Sequence, residues 1–109
     1  MENANVKFNA EKLSYSAELM RAVAHPLRLK ILEFIDQQGS THVNKIYNTL
    51  KLEQSITSQH LRILKLAGVV NDRRDGKFII YKIDYDVIER IDTGMKNFLR
   101  TEALIKAGA

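Results

Sequence analysis

The segment that decides the fold lies at residues 54–64, where the sequence reads Gln54-Ser55-Ile56-Thr57-Ser58-Gln59-His60-Leu61-Arg62-Ile63-Leu64. Apolar residues recur in this segment at three- and four-residue spacing, which is typical of an amphipathic helix. We expect the helix to reach residue 67 and to end at Gly68, since glycine commonly follows the last helical turn. Its predicted core face comprises Ile56, either His60 or Leu61, Leu64 and Ala67.

A shorter helix is predicted immediately before this one, over residues 43–50. Its apolar face comprises Val43, Ile46, Tyr47 and Leu50. Residues 51–53 leave room only for a tight connection between the two helices. Two helices joined by a turn of a few residues form a helix-turn-helix, which we therefore predict over residues 43–67.

The pattern changes to that of a β-hairpin after Gly68. Residues 78–81 are rich in β-branched and aromatic side chains, which favour strands. The dipeptide Asp75-Gly76 is a two-residue turn signal, because tight hairpin turns need residues that tolerate positive φ. We therefore predict a hairpin over residues 69–83, with its tip near residues 74–77.

Two terminal helices flank these elements, over residues 10–24 and 85–104, and a further helix is expected from Pro26 to Gly39. Residues 1–9 are expected to form a frayed lead-in. The terminal helices carry apolar stripes larger than so small a core absorbs, which indicates an interface between two copies. The predicted dimer interface comprises Leu13, Ala17, Met20, Val87, Ile88, Ile91, Met95 and Phe98. The alternative is that both helices pack onto their own domain.

The composition limits the possible function classes. The chain has 109 residues, a net charge of +4 and no cysteine, so we expect a single domain. The lack of cysteine excludes disulfide scaffolds, thiolate zinc sites and cysteine nucleophiles. The sequence has no Gly-rich phosphate loop, no nucleophile with a spaced base and no paired carboxylates beside a predicted cleft, so we do not expect an enzyme.

Charge and hydropathy indicate where the protein acts and on what. Residues 1–12 lack the apolar core of a signal peptide, and no apolar run approaches the roughly 18 residues of a membrane span, so a cytoplasmic location is expected. Basic residues concentrate between residues 55 and 82, which favours an anionic partner such as nucleic acid. Charge alone is equally compatible with a solvated surface.

The combined motifs resemble the arsenic-repressor (ArsR/SmtB) family of winged-helix transcriptional repressors. The segments that carry the resemblance are residues 24–32, 54–64, 67–70 and 73–77, followed by Tyr81. The resemblance implies a mainly α-helical winged helix-turn-helix fold with a β-hairpin wing, in the order α-α-α-α-β-β-α, that dimerises through its first and last helices. It also implies a sequence-specific homodimeric repressor that binds double-stranded DNA at an operator. A two-fold dimer predicts an inverted repeat.

Residues of the predicted recognition helix and wing form the candidate DNA interface. Short polar side chains near the start of a recognition helix reach base edges, and basic residues on a wing contact the DNA backbone or minor groove. The candidates are Gln54, Ser55, Thr57, Ser58, Gln59, His60, Arg62, Arg73, Arg74 and Lys77. Helix capping is the alternative for the hydroxyl residues, and a hydrogen bond within the domain is the alternative for His60. The family usually has serine or threonine where this chain has Glu53.

Metal-sensing sites of the family are not matched by this sequence. One such site uses cysteines, and the spacing of another falls on Asp84, Asp86, Asn97 and Arg100, of which only Asp84 fits. Asparagine and arginine are unsuited to binding zinc. We therefore predict no metal and no cofactor, and the inducer remains open. Two alternatives are a winged-helix protein-interaction module that does not bind DNA, and a repressor that binds metal through Asp84, Asp86 or the histidines.

Overall fold

The computed structural model describes the backbone of residues 10–108 and the side chains of residues 10–96. The predicted lead-in at residues 1–9 therefore lies outside the described part. The elements are α1 (Ala10–Val23), α2 (Pro26–Gln38), β1 (Thr41–His42), α3 (Val43–Leu50), α4 (Gln54–Leu66), β2 (Val70–Asp75), β3 (Phe78–Ile83) and α5 (Tyr85–Gly108). Helices α3 and α4 form the predicted helix-turn-helix, and β2 and β3 form the wing.

Helices α2 and α4 are bounded by the proline and glycine residues from which their boundaries were predicted. The His25 ring caps α2, since its Nδ1 accepts a hydrogen bond from the Leu27 N–H at 3.1 Å, and Pro26 is the first helical residue. Gly39 ends α2 with a φ of 79°, and Gly68 follows α4 with a φ of 81°. These are left-handed conformations that glycine adopts at little cost. The helix α5 runs to Gly108, four residues beyond its predicted end.

The sheet has a third strand that we did not predict. Strand β1 pairs with β3 in antiparallel fashion, with Thr41 opposite Tyr81 and His42 opposite Ile80, so that β3 lies between β1 and β2. Two residues are too few to show an alternating pattern, which explains why the sequence did not reveal this strand. The third strand joins the wing to the start of α3.

The hairpin turn lies one residue later than predicted. Asp75 pairs with Phe78, so the two loop residues are Gly76 and Lys77 rather than Asp75 and Gly76. Gly76 has a φ of 64°, whereas Lys77 is not among the described residues with positive φ. Positive φ at the first loop position alone fits a type II′ turn, which favours glycine there.

The core face of α4 differs from the prediction by one position. Leu61 and Leu64 are fully buried as expected, and Leu61 rather than His60 fills the core, but Thr57 is buried while Ile56 is 38% exposed. The Thr57 hydroxyl donates to the Glu53 carbonyl at 2.8 Å. Since this bond satisfies its only polar side-chain atom, threonine packs in the core at little cost.

The terminal helices pack partly onto their own domain. Val87 and Ile91 of α5 belong to the same buried cluster as Leu19 of α1, so a single copy already buries most of the surface that we had assigned to the dimer interface at these two residues. A Cβ at Gly94 would lie 3.3 Å from the Met20 Cε, so this glycine permits a close approach of the two helices.

Other predicted interface residues remain more accessible. Leu13 is 56% exposed and Met95 is 47% exposed, whereas Ala17, Met20 and Ile88 are half-buried. The Phe98 side chain lies outside the described residues. Among the predicted interface residues whose side chains are described, Leu13 and Met95 therefore offer the most accessible apolar surface.

Candidate nucleic-acid interface

The exposed face of α4 is polar and largely uncharged. The exposed residues on this face are Gln54, Ser55, Ser58, Gln59 and Arg62. Ser55, Gln59 and Arg62 supply hydrogen-bond donors and acceptors on the side of the helix away from its buried leucines, and Gln54 and Ser58 add theirs near the start of the helix. Thr57, which we had included among the candidate contacts, is fully buried and bonded to the Glu53 carbonyl. That prediction was wrong, because the hydroxyl points into the domain.

Glu53 lies at the N-cap of α4 and shapes the start of this face. Its carbonyl accepts both the Thr57 N–H at 3.0 Å and the Thr57 hydroxyl, whereas its side chain makes no capping hydrogen bond. Together with Gln54, Ser55 and Ser58 it lines a shallow depression on the surface. The first turn of α4 is therefore held through the backbone and Thr57, which leaves the Glu53 carboxylate exposed to solvent.

His60 is half-buried at the edge of the exposed face. Its ring centroid lies 4.8 Å from that of His25, with the ring planes tilted by 51°. Its Nδ1 is buried and has no hydrogen-bond partner within the described part of the chain. Burial, and then the nearby His25 and Arg28, lower the pKa of His60 below its usual value, which favours a neutral ring. The domain therefore holds His60 through ring packing rather than through the hydrogen bond we had considered.

The wing presents basic side chains around an exposed turn. Arg73, Arg74 and Lys77 are all exposed, and Arg73 makes only a long 4.0 Å ion pair with Asp75. The Lys77 Nζ lies 5.6 Å from the centroid of the Phe78 ring, a cation–π arrangement. An exposed ion pair of this length leaves the guanidinium available to another anion.

The wing contacts the start of α3 at a residue that directly follows its turn. The Phe78 ring stacks on His42, with centroids 4.7 Å apart and planes at 24°. The Nδ1 of His42 in turn accepts the Lys45 N–H at 3.3 Å and so caps α3. His42 thus links the helix-turn-helix to the wing.

An ion pair connects the recognition helix directly to the wing. The Nζ of Lys65, in the last turn of α4, lies 2.9 Å from the Asp72 Oδ2 on β2. The hydrogen bond from Lys65 to Asp72 raises the lysine pKa. Burial raises the pKa of Tyr81, which lies opposite Asp72 in the sheet. The sequence did not predict this pair, because Lys65 and Asp72 lie on different elements and no helix or strand periodicity relates them.

Asp84, which the sequence offered as a metal ligand, has a structural role. Asp84 caps α5, since its Oδ1 accepts the N–H groups of Asp86 and Val87 at 3.1 and 3.4 Å. Among the residues whose side chains are described, no three potential ligands form a group able to hold a metal ion. The Asn97 and Arg100 side chains lie outside that part. Within residues 10–108, no helix is long and apolar enough to cross a membrane.

The chain is similar in sequence to known regulators of transcription. Residues 25–72 match the family described as "Bacterial regulatory protein, arsR family". The uncharacterized HTH-type transcriptional regulator MJ1325 of Methanocaldococcus jannaschii is 41% identical over 81 residues, which cover 74% of this chain and 91% of the relative. The transcriptional repressor PagR of Bacillus anthracis is 40% identical over 86 residues, which cover 78% of this chain and 85% of the relative.

Solved structures show the same fold. The crystal structure of PagR superposes with a TM-score of 0.67 and 35% identity, covering 78% of this chain and 98% of that chain. The solution structure of Mb0332 from Mycobacterium bovis has a TM-score of 0.69 and 27% identity, covering 94% of this chain and 91% of that one. That fragment is described as a homodimeric winged helix-turn-helix DNA-binding domain and a possible ArsR-family regulator.

Proposed function

Because the chain belongs to the arsR family of bacterial regulatory proteins, we propose that it is a homodimeric repressor that binds an inverted-repeat operator in double-stranded DNA. The observation that carries this proposal is the pairing of two surfaces. An exposed, largely uncharged polar face on α4 and an exposed basic wing lie on elements that Lys65 and Asp72 join. A repressor needs no reacting groups, so the proposal does not include an enzyme activity, and it places the protein in the cytoplasm, with the DNA.

We assign the two surfaces different tasks on DNA. The α4 residues Gln54, Ser55, Ser58 and Gln59 contact base edges in the major groove, since glutamine pairs with adenine and serine serves several partners. Arg62 and His60 are assigned to the sugar-phosphate backbone of the DNA. Arg73, Arg74 and Lys77 of the wing contact phosphates or enter the minor groove, where arginine is favoured.

The dimer in this proposal forms through the exposed parts of α1 and α5. Leu13 and Met95 are the exposed apolar residues that the prediction and the structure share, and the homodimeric Mb0332 domain supports the same assembly. We expect Leu13→Glu combined with Met95→Glu to give a monomer in sedimentation equilibrium. The control is Leu29→Glu, which places the same charge on a 52% exposed leucine of α2. Dimers that persist in the double variant would contradict this interface.

The proposed function is tested by selecting genomic duplex fragments on the purified protein at physiological salt with a chelator present. We expect an inverted repeat to be enriched, with half-sites about one helical turn apart or a multiple of it. The matched control combines Gln54→Ala with Gln59→Ala, which leaves the wing intact and should retain only salt-dependent, non-specific binding. Absence of enrichment in folded wild-type protein would contradict DNA reading and favour a protein-docking module.

A further inference from the structure

We infer that Glu53 is a base-reading residue, whose carboxylate accepts a hydrogen bond from the amino group of one cytosine in each half-site. This inference rests on the proposed function, because it assigns Glu53 a partner within the same DNA interface. It adds a negatively charged reader to a face whose other readers are neutral.

The backbone places Glu53 at the leading end of the recognition helix. Its φ and ψ of −72° and 143° are extended, and its carbonyl is held by the Thr57 N–H and hydroxyl. The fully buried Thr57 therefore fixes the position from which the Glu53 side chain departs. N-terminal residues of a recognition helix are those that reach base edges. Glu53 shares its surface depression with Gln54, Ser55 and Ser58, all of which we place at the bases.

The Glu53 carboxylate is free to accept a partner. Shorter side chains at an N-cap accept hydrogen bonds from the helix backbone, but Glu53 makes no such bond. The ion pairs among the described side chains involve Asp72, Asp75 and Asp92, and none of them includes Glu53. Since the residue is exposed, its two oxygens keep their full capacity to accept hydrogen bonds until DNA is bound.

The chemistry of a carboxylate selects among the bases. An ionised carboxylate accepts hydrogen bonds and donates none. In the major groove guanine presents only acceptors and thymine presents an acceptor and a methyl group, whereas cytosine presents the N4 amino donor. Adenine presents a donor beside an acceptor, so it is the second choice. A carboxylate close to the phosphates is unfavourable unless a base donor faces it, so Glu53 selects for cytosine and against guanine.

The test is a selection from a random duplex library with the wild type, Glu53→Gln, Glu53→Ser and Glu33→Gln. We expect the wild type to enrich cytosine at one symmetric position of each half-site. On single duplexes it should prefer cytosine to guanine there by roughly 5- to 160-fold. Glu53→Gln should lose that preference and shift toward adenine, which glutamine pairs with.

Two variants control for folding and for charge. Glu53→Ser replaces the carboxylate with a hydroxyl that can cap α4, so a loss of cytosine preference in this folded variant cannot be attributed to a damaged helix. Glu33→Gln removes the same charge from an exposed position on α2 and should enrich the wild-type motif.

The possible results separate this inference from the proposed function. Retention of the cytosine by Glu53→Gln, or an equal gain in its affinity for every duplex, would overturn the inference. The carboxylate would then act only as a general repulsion of phosphates, while DNA reading by the protein would stand. A wild type that enriches no motif would overturn the proposed function and this inference with it.

Discussion

The recognition helix and the wing differ in how they are held and in what they present. Helix α4 buries Leu61 and Leu64 completely and exposes mainly uncharged polar groups toward its start, whereas the wing is a hairpin whose tip is exposed and carries arginine and lysine. Base reading requires side chains fixed to within a fraction of an ångström, and a packed helix provides that. Attraction between basic side chains and phosphates depends on charge, so it does not require the side chains to be fixed as closely. The difference indicates that α4 reads sequence and that the wing adds affinity.

The largest effect that follows from this comparison is expected for Gln59→Ala. Loss of a bidentate contact should cost about 1–3 kcal/mol per half-site on the selected operator, with little change on unrelated duplexes. Competition binding against single-substituted operators measures it. Gln37→Ala, at an exposed position of α2, should bind like the wild type. A uniform loss for Gln59→Ala on all duplexes would remove the distinction between reading and anchoring.

A smaller and different effect is expected for Arg74→Ala. The variant should bind every sequence more weakly and reduce the steepness of the slope of log K against log salt by about two, because each protomer of the dimer loses one phosphate contact. Affinities measured over a series of salt concentrations give this slope. Lys30→Ala removes a positive charge from an exposed site on α2 and should leave the slope unchanged. A changed sequence preference in Arg74→Ala would mean that the wing also reads bases.

The contact between the two regions should couple their contributions. If the ion pair of Lys65 and Asp72 sets the wing against α4, Arg74→Ala should weaken binding less in an Asp72→Asn background than in the wild type. A double-mutant cycle measures this coupling. Asp75→Asn removes a wing carboxylate that does not contact α4, so its cycle with Arg74→Ala should show less coupling. Equal coupling in both cycles would mean that Asp72 acts only through its negative charge and not through its contact with Lys65.

The smallest expected effect is on the pH dependence of stability, and it comes from the half-buried His60 of α4. Burial, His25 and Arg28 lower its pKa in the folded state, so the unfolded chain binds the proton more readily. The contribution of His60 to the free energy of unfolding is therefore fully present above about pH 6.5. It declines as the pH falls from there through the lowered pKa of the folded state. Urea unfolding at pH 7.5 and 5.0 should show a smaller decline for His60→Gln than for the wild type. An unchanged decline would contradict this role of His60.

The parts that were predictable from the sequence are those with local causes. Pro26, Gly39 and Gly68 bound helices because each acts through its own backbone, and the polar start of α4 is a local pattern too. The errors required tertiary information. A hydroxyl bonded to the Glu53 carbonyl lets Thr57 enter the core, and the core cluster of the domain also includes Val87 and Ile91 of α5. Strand β1 exists only because β3 pairs with it.

The division of tasks between α4 and the wing is tested most directly by one set of salt titrations. Dissociation constants are measured for the wild type, Gln59→Ala and Arg74→Ala on the selected operator and on a scrambled duplex. We predict that Gln59→Ala lowers the ratio of the two affinities without changing the salt slope, whereas Arg74→Ala reduces the steepness of the slope by about two, one for each protomer, and keeps the ratio. Parallel changes of ratio and slope in both variants would contradict the account.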